Sequence, residues 1–133
     1  MFRLLKVENG RENVPNPVYH EVTAGEAVEI GEALVLNAGK LTKCGATTKP
    51  EFIANGVKSA TDENRKLGVV RTEGNQVYEV PVSAVPTSLK VGDKVTITTD
   101  GLQVTATTTS GVITVENLNG AAAAGDKIIV RIV

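Results

Sequence analysis

The sequence has no tryptophan, two phenylalanines, two tyrosines, one histidine, one cysteine and one methionine in 133 residues. With aromatics at 3%, there is no set of ring platforms on which bases could stack. The formal net charge of −1 also lacks the excess of Lys and Arg that a phosphate-binding face requires, so no direct nucleic-acid partner is expected. One cysteine cannot close an internal disulfide, and one histidine cannot supply a histidine pair to a metal. Neither a Walker-type nor a dinucleotide glycine spacing occurs, and no stretch approaches the roughly 20 apolar residues of a membrane span. The opening MFRLLKVENGRENVP is interrupted by charge too soon for a secretory segment, so synthesis in the cytoplasm is expected. No cofactor and no metal are expected.

What the sequence does contain is small aliphatics. Hydrophobic residues make up 41% of the chain, and at this length one domain with a core of Val, Ile, Leu and Ala is expected. Turn residues punctuate short β-favouring runs throughout. In KVTITTDGLQVTATTT, a two-residue primed turn at Asp100-Gly101 would set Thr99 opposite Leu102, Ile97 opposite Val104 and Val95 opposite Ala106. Two further hairpins are predicted, in EALVLNAGKLTKC around Gly39 and in LGVVRTEGNQVYEVPV around Glu73-Gly74-Asn75. GVITVENL and the terminal DKIIVRIV read as strands, the last one central or covered on both faces.

A motif of Gly, acid, any residue and aliphatic occurs four times, beginning at Gly25, Gly31, Gly92 and Gly125. It predicts turns that open strands, with the glycine supplying positive φ and the acid bonding nearby backbone donors. Helix signals are poor: Thr61 or Asp62 would cap at most one turn, and Pro50 to Leu67 reads as a loop. The fold class expected is therefore all-β, a small β-barrel or β-sandwich of antiparallel hairpins with little helix. Residues 19–133 form a single β domain in this reading, and residues 1–18 an N-terminal arm. FRLLKV within it is suited to an edge strand or to an extended arm.

Each reactive group has a plain structural reading beside a functional one. His20 has only Glu21 adjacent, pointing to the opposite side of a strand, and is read as a rim histidine. Cys44 ends an apolar run and is read as a small buried hydrophobe, not a nucleophile. Glu21, Glu26, Glu29 and Glu32 lack the tight oxygen spacing of a calcium loop and are read as turn carboxylates on a solvated face. The mixed-sign run Asp62 to Lys66 is read as an exposed loop. The run Ala121, Ala122, Ala123, Ala124 is either a connector or, because small side chains permit close approach, a contact between subunits.

In the succession TAGEAVEIGEALVLNAGKLTKC, KPEFIANGV, VYEVPVSA, VGDKVTITTDGLQVT and a hydrophobic terminal strand, the chain from about Val18 resembles the capsid decoration proteins of tailed bacteriophages. These are also called cement or auxiliary head proteins. The resemblance implies a β-rich, often trimeric, non-enzymatic virion protein on the outer capsid surface, with the major capsid protein as partner. It also implies that the N-terminal arm contacts capsid subunits. Here that arm would present Phe2, Leu4, Leu5 and Val7, and deleting Met1 to Val18 would leave a folded body that no longer binds. Two rival classes are an extracellular adhesin-like β module, or another phage head or tail component such as a head-fibre base, and an enzyme using His20, Cys44 or a carboxylate pair.

Overall fold

The computed structural model describes residues 1–8, 15–62 and 65–133. Its strands are β1 (Arg3–Val7), β2 (Val18–Glu21), β3 (Ala33–Asn37), β4 (Lys40–Lys43), β5 (Phe52–Ala54), β6 (Lys66–Arg71), β7 (Gln76–Pro81), β8 (Lys94–Val95), β9 (Ile113–Asn117) and β10 (Lys127–Arg131). They form two five-stranded antiparallel sheets, in the orders β1-β7-β10-β9-β8 and β2-β6-β5-β3-β4. No helix occurs among the described residues, and the turn expected to be capped at Thr61 or Asp62 runs into residues 63 and 64, outside them. Single bridges curl the sheets, Val22 to Leu41 in the second and Val104 to both Val82 and Ile97 in the first. Neither sheet closes into a barrel, so a sandwich-like packing of two sheets is the architecture seen.

Alternation along the strands builds two apolar clusters. Tyr78, Val80, Ile113, Val115, Ile128, Val130 and Ile132 from the first sheet pack with Ala33 and Ile53 from the second. The neighbouring residues Leu34, Phe52, Ala54, Leu67 and Val69 point the other way, onto Val22, Val28 and Leu41. The second sheet is therefore apolar on both faces, which is why β3 and β5 read as continuous runs with no alternation. Phe52-Ile53-Ala54 lies in the span read as a loop, because three residues are too few to show a period.

The four Gly-acid motifs are four copies of one turn. The backbone N–H of Glu26, Glu32, Asp93 and Asp126 donates to the carbonyl three residues back, at 3.2, 3.2, 3.0 and 3.2 Å. The preceding glycines have φ of 81°, 76°, 93° and 91°, the mark of a type II turn. In three of the four the carboxylate reaches back as well: Glu29, Lys90 and Ala123 donate their N–H to Glu32, Asp93 and Asp126.

The hairpin at Gly39 is as expected, with Ala38 and Gly39 at φ of 50° and 78° in a primed two-residue turn. The one at Asp100-Gly101 differs. Ile97 does pair with Val104, but Gly101 alone has positive φ and donates to Thr98 O at 2.9 Å, so Thr99 to Leu102 form a longer loop. Asp100 accepts from the Leu102 N–H and the Thr98 hydroxyl, which favours this wider turn and lowers the Asp100 pKa. Val95 then leaves the hairpin and pairs with Ile113 instead of Ala106.

β6 and β7 are not a hairpin either; they lie in different sheets. The buried Gln76 holds the crossing between them, donating to Arg71 O at 2.9 Å and accepting from Glu73 N–H at 3.0 Å and the Tyr78 hydroxyl at 2.7 Å. β10 is central in its sheet. Ile128, Val130 and Ile132 are buried, while its opposite face is only half covered. There Arg131 donates to Glu116 of β9 at 2.8 Å and Gly74 O at 3.1 Å and pairs with Glu8, tying the neighbouring strand, the β6–β7 connection and the end of β1 to one side chain.

Candidate interaction surface

Residues 1–8, the described N-terminal part of the expected arm, lie against the body of the fold. Arg3–Val7 is the edge strand of the first sheet, paired with β7, the other of the two forms the sequence suited. Phe2 and Leu4, two residues apart, share the inward face. Phe2 is buried edge-on against Tyr78, with ring centroids 6.3 Å apart, and Leu4 is half-buried on the same core. Alternation turns Leu5 outward, 42% exposed, and the register shifts between Leu4 and Lys6. Val7 is half-buried. Of the four side chains expected to reach a partner, Leu5 is exposed, Leu4 and Val7 are half-buried and Phe2 belongs to the core. The remainder of the arm up to Val14 lies outside the described residues.

Where β1 passes the second sheet, the two sheets leave an apolar groove of about 180 Å³. Phe2, Leu4 and Tyr78 form one wall and Ile53, Ala54 and Val70 the other. Met1 and Ile30 stand at its rim, 46% and 47% exposed. Gly31 makes this approach feasible: a Cβ there would lie 2.5 Å from Met1 Cβ and 2.9 Å from Phe2 O, and its own carbonyl accepts the Phe2 N–H at 2.9 Å. Sequence reasoning did not find this groove, since its walls come from strands in different sheets. Ile30 alone carried a readable signal, as the large apolar residue at the second position of a Glu-Ile-Gly-Glu turn, which a type II turn points at solvent.

The remaining candidates are separated from one another. His20 lies half-buried in β2 with its ring edge-on to Phe52, 5.2 Å between centroids, and the Arg71 guanidinium sits 4.8 Å from the same ring. Cys44 belongs to the other cluster, apart from His20. Glu26 accepts from Thr42 and from the Lys43 N–H, and buried Glu32 pairs with Lys43 at 2.7 Å. Among the described residues no group of three His, Cys, Asp or Glu side chains could hold a metal ion. Asp62 pairs with Arg65 at 3.5 Å on the surface, and Glu63 and Asn64 lie outside the described residues. Ala122 and Ala123 donate their N–H groups to Asp126, while Ala121 packs on the core and Ala122 to Ala124 are exposed. No helix of the structure is long and apolar enough to cross a membrane.

Comparison with protein-family models, with curated proteins and with solved structures returns no match.

Burial shifts the titration of two groups. It pushes the Cys44 thiol up to about 11 and raises the Tyr78 phenol well above its ordinary range. Both folded-state values lie above the unfolded ones, so their contribution is complete below the unfolded pKa values, about 8.5 and 10, and is lost as pH rises through the folded ones. Urea midpoints are therefore expected to fall steadily above about pH 9, and Cys44→Ala to delay the onset toward the tyrosine range. A Cys44→Ala protein whose midpoint declines from the same pH as the parent would remove Cys44 from the account.

Proposed function

We propose that this protein is a non-enzymatic virion structural protein that binds the outer surface of a phage capsid, with the major capsid protein as partner, and stabilises the shell. The observation that carries the reading is the groove between the sheets, with Met1 and Ile30 exposed at its rim and Leu5 turned outward on the adjoining edge strand. A body with two aliphatic clusters and four repeated tight turns supplies a stiff platform for such a surface. The succession of turn and strand motifs supports the reading through its resemblance to decoration proteins. Exposed Ala122 to Ala124 offer small side chains for close approach between copies in a trimer.

Such a role needs contact area, roughly 1,000 Å² or more per stable interface, and no reactive group. Binding the assembled lattice and not the free subunit stabilises the lattice by mass action. A trimer engaging several capsid subunits adds effective concentration to each contact.

Co-sedimentation with empty phage heads, after light scattering has fixed the oligomeric state, tests the proposal. Ile30→Asp places a charge on the rim without touching the core. It is expected to weaken capsid binding about tenfold or more, ~1.4 kcal/mol, with an unchanged unfolding midpoint. His20→Ala is expected to leave binding intact. Full decoration by Ile30→Asp would remove the groove from the interface, and no sedimentation of the parent protein with any head would end the capsid reading.

A further inference from the structure

Asn-Gly occurs three times in the sequence, at Asn9-Gly10, Asn55-Gly56 and Asn119-Gly120, the first outside the described residues. An asparagine followed by glycine is the dipeptide most open to attack by its own backbone, because no following side chain blocks the approach. The other two are both exposed, yet they are held in opposite ways.

Asn119 and Gly120 have φ of 52° and 72°, and the Ala121 N–H donates to Leu118 O at 2.8 Å, which closes a primed turn around the pair. The Asn119 side chain is clear of the turn, but in the left-handed conformation the next amide nitrogen lies on the far side of Cα from Cβ. The Asn119 N–H donates to Asn117 Oδ1 at 2.7 Å, a further restraint on the same backbone. To reach its own side-chain carbonyl carbon, the Gly120 nitrogen must break the turn.

Asn55 has none of these restraints beyond its own N–H, which donates to Gly68 O at 2.9 Å. It is outside the left-handed region, and among the described residues no turn hydrogen bond spans Asn55-Gly56 and no backbone partner engages the Gly56 N–H. Among the described residues, no backbone hydrogen bond fixes the peptide between them.

We propose that Asn55 is a site of spontaneous covalent modification in the folded protein, while Asn119 is protected by its turn. The Gly56 nitrogen loses its proton to solvent and attacks Asn55 Cγ. A C–N bond forms, the bond from Cγ to the side-chain nitrogen breaks, and ammonia leaves, giving a succinimide. Water then opens the ring at either carbonyl, leaving aspartate or isoaspartate, with no oxidant or other reactant required. Asn55 is exposed and lines the groove, so the product sets a carboxylate beside its apolar walls. On the docking reading above, aged protein binds its partner more weakly than fresh protein.

The test is peptide mapping of the full chain aged at mildly alkaline pH and physiological temperature, with a parallel sample kept unfolded in urea. The two asparagines fall in different tryptic peptides. In the native sample, conversion of Asn55 is expected to run several-fold ahead of Asn119, and in urea the two rates are expected to converge. Equal native rates, or Asn119 ahead, would overturn the proposal. Unequal rates in urea of the same ratio as in the native protein would do so too, since the difference would then lie in local sequence and not in the fold. Capsid binding enters none of these readouts.

Discussion

A chain lacking Met1 to Val7 is expected not to fold, where the sequence alone suggested a folded body even without Met1 to Val18. Phe2 is a core residue, 2% exposed, and removing a buried phenylalanine side chain costs about 3–5 kcal/mol. The truncation also strips β1 from the edge of β7 along Gln76 to Glu79, leaving the backbone groups on that edge without partners and uncovering the groove wall beneath. Against a total stability of about 5–15 kcal/mol, these losses together are enough to abolish the native state. Near-ultraviolet circular dichroism and urea unfolding check this. A truncated chain that still unfolds cooperatively near the parental midpoint would show that β1 is dispensable and would restore the arm as a separable element.

Gly111→Ala is the single substitution expected to do most damage. A Cβ at that position would lie 2.1 Å from Lys94 O and 2.6 Å from Val95 N, both backbone atoms that no rotamer change can move. The neighbouring Val112 N–H donates to Val95 O at 2.9 Å, so relief requires pulling the β8–β9 edge apart. The cost is expected to exceed about 3 kcal/mol, the upper end for ordinary overpacking. Gly120→Ala supplies the comparison. Its φ is 72° but nothing lies within 4 Å of the added carbon, so only the left-handed penalty of about 1–2 kcal/mol applies. Thermal unfolding of the two variants side by side separates crowding from backbone strain, and a Gly111→Ala protein as stable as Gly120→Ala would contradict the close approach.

Much of the local structure was legible because its causes are local. Gly31-Glu32 and Gly92-Asp93 announce their turns, since the glycine and the acid each act within three residues. The Ala38-Gly39 hairpin follows from positive φ at two adjacent positions. Cys44 was readable as a buried thiol because it closes an apolar run. At Asp100-Gly101, by contrast, the local signal competed with Asp100 hydrogen bonds and with the pull of β9 on Val95, and the nonlocal pairing prevailed.

The sequence by itself determined that this chain is all-β, aliphatic in its core and punctuated by Gly-acid turns that open strands, because side-chain alternation and glycine backbone freedom are properties of short segments. Only the tertiary structure decided that β6 and β7 part into different sheets, that Phe2 is swallowed by the core, and that Ile30, Val70 and Tyr78 meet around one groove. Those outcomes depend on which of several equally apolar faces find each other, and aliphatic side chains are too nondirectional to encode that choice along the chain.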